Sequence, residues 1–70
     1  MNEEELKKIY VSNIRKLREA RGLTQFQLAE KAHITEKYLS AIETHKKWGS
    51  FETLVSLASA LEVEPYELLL

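Results

Sequence analysis

The sequence predicts an all-α domain of five helices, and three observations carry that reading. Apolar residues recur at the spacing of a buried helical face in four separate blocks. Each break between blocks is short and carries a helix signal: Gly22 as a stop, Thr24, Thr35 and Ser50 as N-caps, and Pro65 at the first position of a last short helix. Between the second and third blocks lie only His33 and Ile34, which is room for a tight turn and nothing else.

The first helix spans residues 2–21. Leu6, Ile9, Tyr10, Asn13, Ile14, Leu17 and Ala20 form its inner stripe, Asn2 is its cap, and Glu3, Glu4 and Glu5 suit the positive end of the helix dipole. The second spans 25–32, with Leu28, Ala29 and Ala32 inward; Thr24 and Gln27 read as a capping box at its start. The third spans 36–43, with Leu39 and Ile42 inward. Two helices this short, joined this closely, have helix-turn-helix geometry over residues 24–43. They cannot cover their own apolar faces, so the rest of the chain must. A loop follows from Thr44 to Ser50. The fourth helix spans 51–61, with Phe51, Leu54, Val55, Leu57, Ala58 and Leu61 at helical spacing, and the fifth spans 65–69.

Seventy residues make one domain, 1–70. Apolar residues at 44% and charged residues at 30% are enough for a core and a hydrated surface. Without cysteine there is no disulfide, no thiolate nucleophile and no cysteine metal site, so a chain this small must rely on helix packing or self-association. His33 and His45 alone do not make a metal site, and neither metal nor cofactor is expected. No apolar run has the length of a membrane span, and the first twelve residues are too acidic and polar for a signal peptide. A reducing, cytoplasmic setting is the expectation.

The net charge of −1 hides an asymmetry. Residues 15–48 carry eight bases and four acids, whereas residues 49–70 carry four acids and no base. A basic region beside an acidic one fits a DNA-binding face with a separate back; chance clustering on solvated helices would give the same count.

The stretch LTQFQLAEKAHITEKYLSAIE resembles the helix-turn-helix of the phage repressor and Cro family, also called XRE-like. The likeness extends outward through IRKLREARG and FETLVSLASALEVEPYELL, so that it covers Ile14 to Leu69. In size the chain also resembles the controller proteins of restriction–modification systems. The resemblance implies a repressor-like domain with a largely buried ion pair between Arg18 and Glu43. It implies that Gln25 holds the DNA backbone and that Thr35, Glu36, Lys37, Ser40 and Ala41 contact bases or line the major groove. Lys37 suits guanine, Glu36 suits cytosine N4 or merely the helix dipole, and Ala41 suits a thymine methyl. Tyr38, Thr44, Lys46 and Lys47 are the further phosphate candidates. The family's first helix begins nearer Ser12, so residues 1–13 are an extension whose Leu6, Ile9 and Tyr10 pack on the domain or on a second subunit.

The chain departs from the family pattern in two loops. His33 holds a turn position usually given to glycine, at a cost in the left-handed conformation. In THKKWGS, His45 replaces glycine and Gly49 replaces proline, while Trp48 either anchors the loop on the core or stacks on the sugar-phosphate chain. Exposed Phe26 either covers part of the core or touches sugar. At the other end, Leu68, Leu69 and Leu70 read as a two-fold dimer contact, or else Leu68 packs inside and the others fray.

These features lead to a regulator of transcription that binds double-stranded DNA, expected as a homodimer on a palindromic operator. Nothing suggests an enzyme: there is no Ser–His–acid set and no Gly-rich phosphate loop. A chain of this length leaves no room for a small-molecule effector domain. The competing class is a protein-interaction module, such as an antitoxin or adaptor, which near-neutral charge, Glu36 and the acidic C-terminal third would suit.

Overall fold

The computed structural model describes residues 1–70. Helices α1 (Glu3–Ala20), α2 (Gln25–Ala32), α3 (Glu36–Glu43) and α4 (Phe51–Ala60) are followed by one 3-10 segment, Pro65–Leu69. The five-helix expectation is therefore corrected to four. Five residues after a proline leave space for a single turn, and that turn closes on the tighter pattern: the Glu67 N–H donates to the Glu64 carbonyl at 2.9 Å.

The helix starts follow from local chemistry. Asn2, Thr24, Thr35 and Ser50 accept hydrogen bonds from the N–H groups of Glu5, Gln27, Tyr38 and Thr53. The capping box is complete, since the Thr24 N–H donates back to Gln27 Oε1 at 2.9 Å.

All four helices also end in one way. In each, a residue two or three past the helix donates to the carbonyl five positions back, and the residue before it donates three back: Leu23 to Arg18, Ile34 to Ala29, Lys46 to Ala41 and Val63 to Ala58, the five-back bonds each at 3.0 Å or less. This Schellman closure needs a left-handed residue in the middle. Only the first uses glycine, Gly22 at φ 67°; the others use His33 (59°), His45 (64°) and Glu62 (60°).

Ile14, Leu28, Leu39, Ile42, Leu57, Leu61 and Leu68 are fully buried, so every element puts at least one large side chain into a single core. α2 packs on both α3 and α4, and α1 lies along the C-terminal segment, where Asn13 Nδ2 donates to the Leu68 carbonyl at 3.1 Å. Leu68 as a dimer contact is thus corrected: it is a core residue of its own subunit. Leu69 is half-buried and Leu70 exposed.

The inner stripes need two further corrections. Phe51 and Val55 are 85% and 53% exposed, while Thr53 is buried. Apolar positions on α4 span too wide an arc for one contact; Leu57 and Leu61 take the core, and that rotation turns Phe51 and Val55 outward. On α1, Ala20 is exposed and Val11 buried. Tyr10 and Val11 are in the core and Ile9 is half-buried, so the N-terminal extension packs on its own domain. No helix is long and apolar enough to cross a membrane.

Candidate nucleic-acid interface

The Arg18–Glu43 pair sets the relation of the helices that carry the surface. Arg18 Nε donates to Glu43 Oε2 at 2.8 Å and Nη2 to Oε1 at 3.1 Å, while Nη1 donates to the Leu23 carbonyl at 2.9 Å. Arg18 stands on α1 and Glu43 closes α3. Glu43 is almost wholly enclosed, and a bidentate arginine is the geometry that satisfies a buried carboxylate.

Gln25 joins this network: its Nε2 donates to Glu43 Oε1 at 3.0 Å. The side chain expected to hold phosphate is thus partly committed to the protein. What α2 still offers from Gln25 is a second amide hydrogen and the backbone N–H of an uncapped first-turn position.

α3 presents the residues expected to read bases. Thr35, Glu36 and Lys37 are exposed and Ser40 and Ala41 half-exposed, all in or just before the first six residues of the helix. None of these five is a core residue. Thr35, Lys37, Tyr38 and Ala41 line one shallow recess of about 320 Å³ with Lys47 from the following loop. Lys37 and Lys47 therefore reach one concavity from two elements. Glu36, at the start of the helix, is placed equally well for the dipole.

The phosphate candidates separate by geometry. Lys46 and Lys47 are exposed. Tyr38 is half-buried against the core, and its hydroxyl lies 3.3 Å from where a Cβ on Gly49 would sit, so it faces the loop more than the solvent. The Thr44 hydroxyl donates to the Ser40 carbonyl at 2.8 Å. Its one proton is engaged there, so in this conformation Thr44 has no hydrogen for a phosphate. Trp48 is half-buried and packs on the core, which agrees with anchoring of the loop. Phe26 is 58% exposed on the outer side of α2.

Gly49 has φ 84°, and a Cβ there would meet Thr53 at 2.9 Å. This explains the glycine where the resemblance would put proline. No group of three or more His, Asp or Glu side chains converges as a ligand set.

A family model described as Helix-turn-helix matches residues 14–68. The chain is 43% identical over 51 residues to the immunity repressor protein of Bacillus phage phi105; the match covers 73% of this chain but only 35% of that protein. The structure of a hypothetical transcription factor from Neisseria superposes with a TM-score of 0.90 at 30% identity, covering all of this chain and 80% of that one. The restriction–modification controller protein C.AhdI from Aeromonas hydrophila superposes with a TM-score of 0.84 at 31% identity, over 96% of this chain and 98% of that one. Taken with α2, α3 and the Arg18–Glu43 tie between α1 and α3, these matches show that the chain belongs to the XRE-type helix-turn-helix family of DNA-binding transcription regulators.

Proposed function

We infer that this protein binds a specific double-stranded DNA sequence as a homodimer on a palindromic operator and so regulates transcription. The observation that carries the reading is the shared recess on α3, where Lys37 and Lys47 converge beside exposed Thr35 and Glu36. An α-helix fills the major groove, and its N-terminal residues reach base edges. In this arrangement Lys37 reads bases with Thr35, Glu36, Ser40 and Ala41, while Lys46, Lys47 and the start of α2 hold phosphates. Affinity then comes mainly from the phosphate contacts and specificity from α3.

The second subunit docks on the face of α4 opposite its core side. Phe51 and Val55 project there, and beside them Leu6, Tyr10, Trp48, Leu54 and Leu69 line an apolar groove of about 530 Å³. A knob next to a groove is what a two-fold contact requires, because each copy offers both halves. An exposed aromatic ring brings on the order of 150–250 Å² to such a contact. The same groove also favours the second reading, in which the chain captures another protein and no DNA.

Selection from a random-sequence duplex pool, titrated across salt, tests the DNA reading. An enriched palindrome, with binding that falls steeply as salt rises, is expected. Lys37→Ala then changes the preferred sequence, whereas Lys46→Ala weakens all sites alike. Absence of binding even at low salt turns the choice to the protein-interaction module.

A further inference from the structure

Trp48 has a neighbour that belongs to neither the family match nor the recognition helix. Lys7 Nζ stands 4.8 Å from the centre of its ring, within range of a cation–π contact. Lys7 is itself held by Glu3 at 2.7 Å and approached by Glu4 at 3.8 Å. The hydrogen bond that Lys7 donates to Glu3 and the charge of both acids raise the Lys7 pKa, so the cation is present throughout the physiological range. All three residues precede residue 14, where the family match begins.

Trp48 follows directly on the two lysines of the loop. On one side the loop is tied to α3, because the N–H groups of Lys46 and Lys47 both donate to the Ala41 carbonyl, at 2.8 and 3.2 Å. On the other side Ser50 caps α4, accepting from the Thr53 N–H, and before it Trp48 is the residue of the loop that packs on the core. The Trp48 ring packs on the core with the edge of His45 against it at 6.0 Å, and Lys7 covers it. Lys47 leans over the Tyr38 ring at 5.9 Å. The loop is thus pinned at Ala41 and at Trp48, with the two exposed ammonium groups between the pins.

We propose that Lys7 and Trp48 are positioning residues for DNA binding: the first turns of α1 clamp the Trp48 ring, and the clamped ring holds Lys46 and Lys47 where they meet the phosphate backbone. Neither residue touches DNA itself. The inference rests on the DNA-binding reading above. It gives residues 3–10 a task besides covering the core. A loop that wanders must be ordered at the moment of binding, and that entropy is subtracted from affinity. A clamped loop is already ordered.

The test uses the full chain with a fluorescein-labelled random-sequence duplex of about 30 base pairs, room for two half-sites one helical turn apart. Binding is followed by anisotropy across salt for Lys7→Met and Trp48→Leu, and for the conservative Lys7→Arg and Trp48→Phe. The first pair should bind roughly five- to tenfold more weakly, with a salt slope lower by about one for each phosphate that is no longer neutralised. The second pair should restore binding, and the sequence preference selected by the protein should not move. Amide exchange without DNA supplies an independent readout: Lys46 and Lys47 should exchange faster in Lys7→Met while the amides of α3 keep their protection. If the first pair binds with the parental affinity and slope, or if the two loop amides keep parental exchange, the clamp is refuted and the DNA reading stands. A parent that binds no duplex overturns the DNA reading, and the clamp with it.

Discussion

Tyr10 shows what a single buried atom costs. Its hydroxyl is enclosed and has no partner in the protein. Burial, with a smaller push from Tyr38, raises its pKa from 10.0 to about 12. The folded chain therefore holds the neutral phenol more tightly than the unfolded chain does. That advantage is whole below pH 10 and turns into lost stability as the pH rises toward 12, because only the unfolded state can ionise freely. Tyr10→Phe should raise stability at neutral pH by about 1 kcal/mol, by removing an unsatisfied buried group. In urea titrations at pH 7 and 11, its margin over the parent should widen at the higher pH. The left-handed residues give predictions from the backbone. His33 and Glu62 adopt φ near 60°, which costs a side chain about 1–2 kcal/mol. His33→Gly and Glu62→Gly should each stabilise by roughly 0.5–1 kcal/mol after the greater freedom of glycine in the unfolded chain is subtracted. Gly49→Ala should cost about 2 kcal/mol or more, since the new methyl meets Thr53 near its backbone. Melting curves of the three variants check the signs.

At the scale of elements, the Arg18–Glu43 pair carries the heaviest load. Glu43 accepts from Arg18 and from Gln25, so α1, α2 and α3 meet at one carboxylate. Arg18→Ala leaves that carboxylate buried without its cation and should cost about 3–5 kcal/mol, visible as a large fall in melting temperature. Gln25→Ala should cost far less, since the arginine remains. The two positions were legible in the chain because both fit the family motif; Gln25 as their third member was not, since a glutamine at a helix start reads equally well as a phosphate ligand. The helix boundaries were legible for a similar reason. Caps act within four residues, and Asn2, Thr24, Thr35 and Ser50 need nothing from the rest of the fold. The last segment shows the limit. A proline announces a helical start, but whether one turn closes as α or 3-10 depends on how Leu68 is drawn into the core.

For the whole molecule the decisive quantity is what the core leaves outside. α4 carries more apolar residues than one face can bury, and the surplus is Phe51 and Val55. Phe51→Glu should lower self-association without lowering the melting point of the single domain, and sedimentation across concentration is the measurement. Expected is a parent that forms dimers and a variant that does not; a parent that stays monomeric at high concentration removes the dimer from the proposal. Because exposed Lys46 and Lys47 run directly into Trp48, which walls this groove, the loop belongs to both faces of the molecule. The face on α3 was visible in the chain, but the apolar one was not, although its residues were: the spacing along α4 named Phe51 as apolar, and only its neighbours made it a knob.

The sequence by itself determined where helices begin and end, that α2 and α3 form one helix-turn-helix unit, and which side chains α3 turns outward. These follow from interactions within a few residues, or from a periodicity that repeats along one helix. The tertiary structure alone decided that α4 rotates Phe51 outward and Thr53 inward, that Leu68 fills the core, that Gln25 commits an amide hydrogen to Glu43, and that Lys7 covers Trp48. Each of these joins residues distant in the chain or chooses between equivalent faces of a helix. Such choices are settled by which arrangement fills the core at close packing, and that is a property of all the elements together.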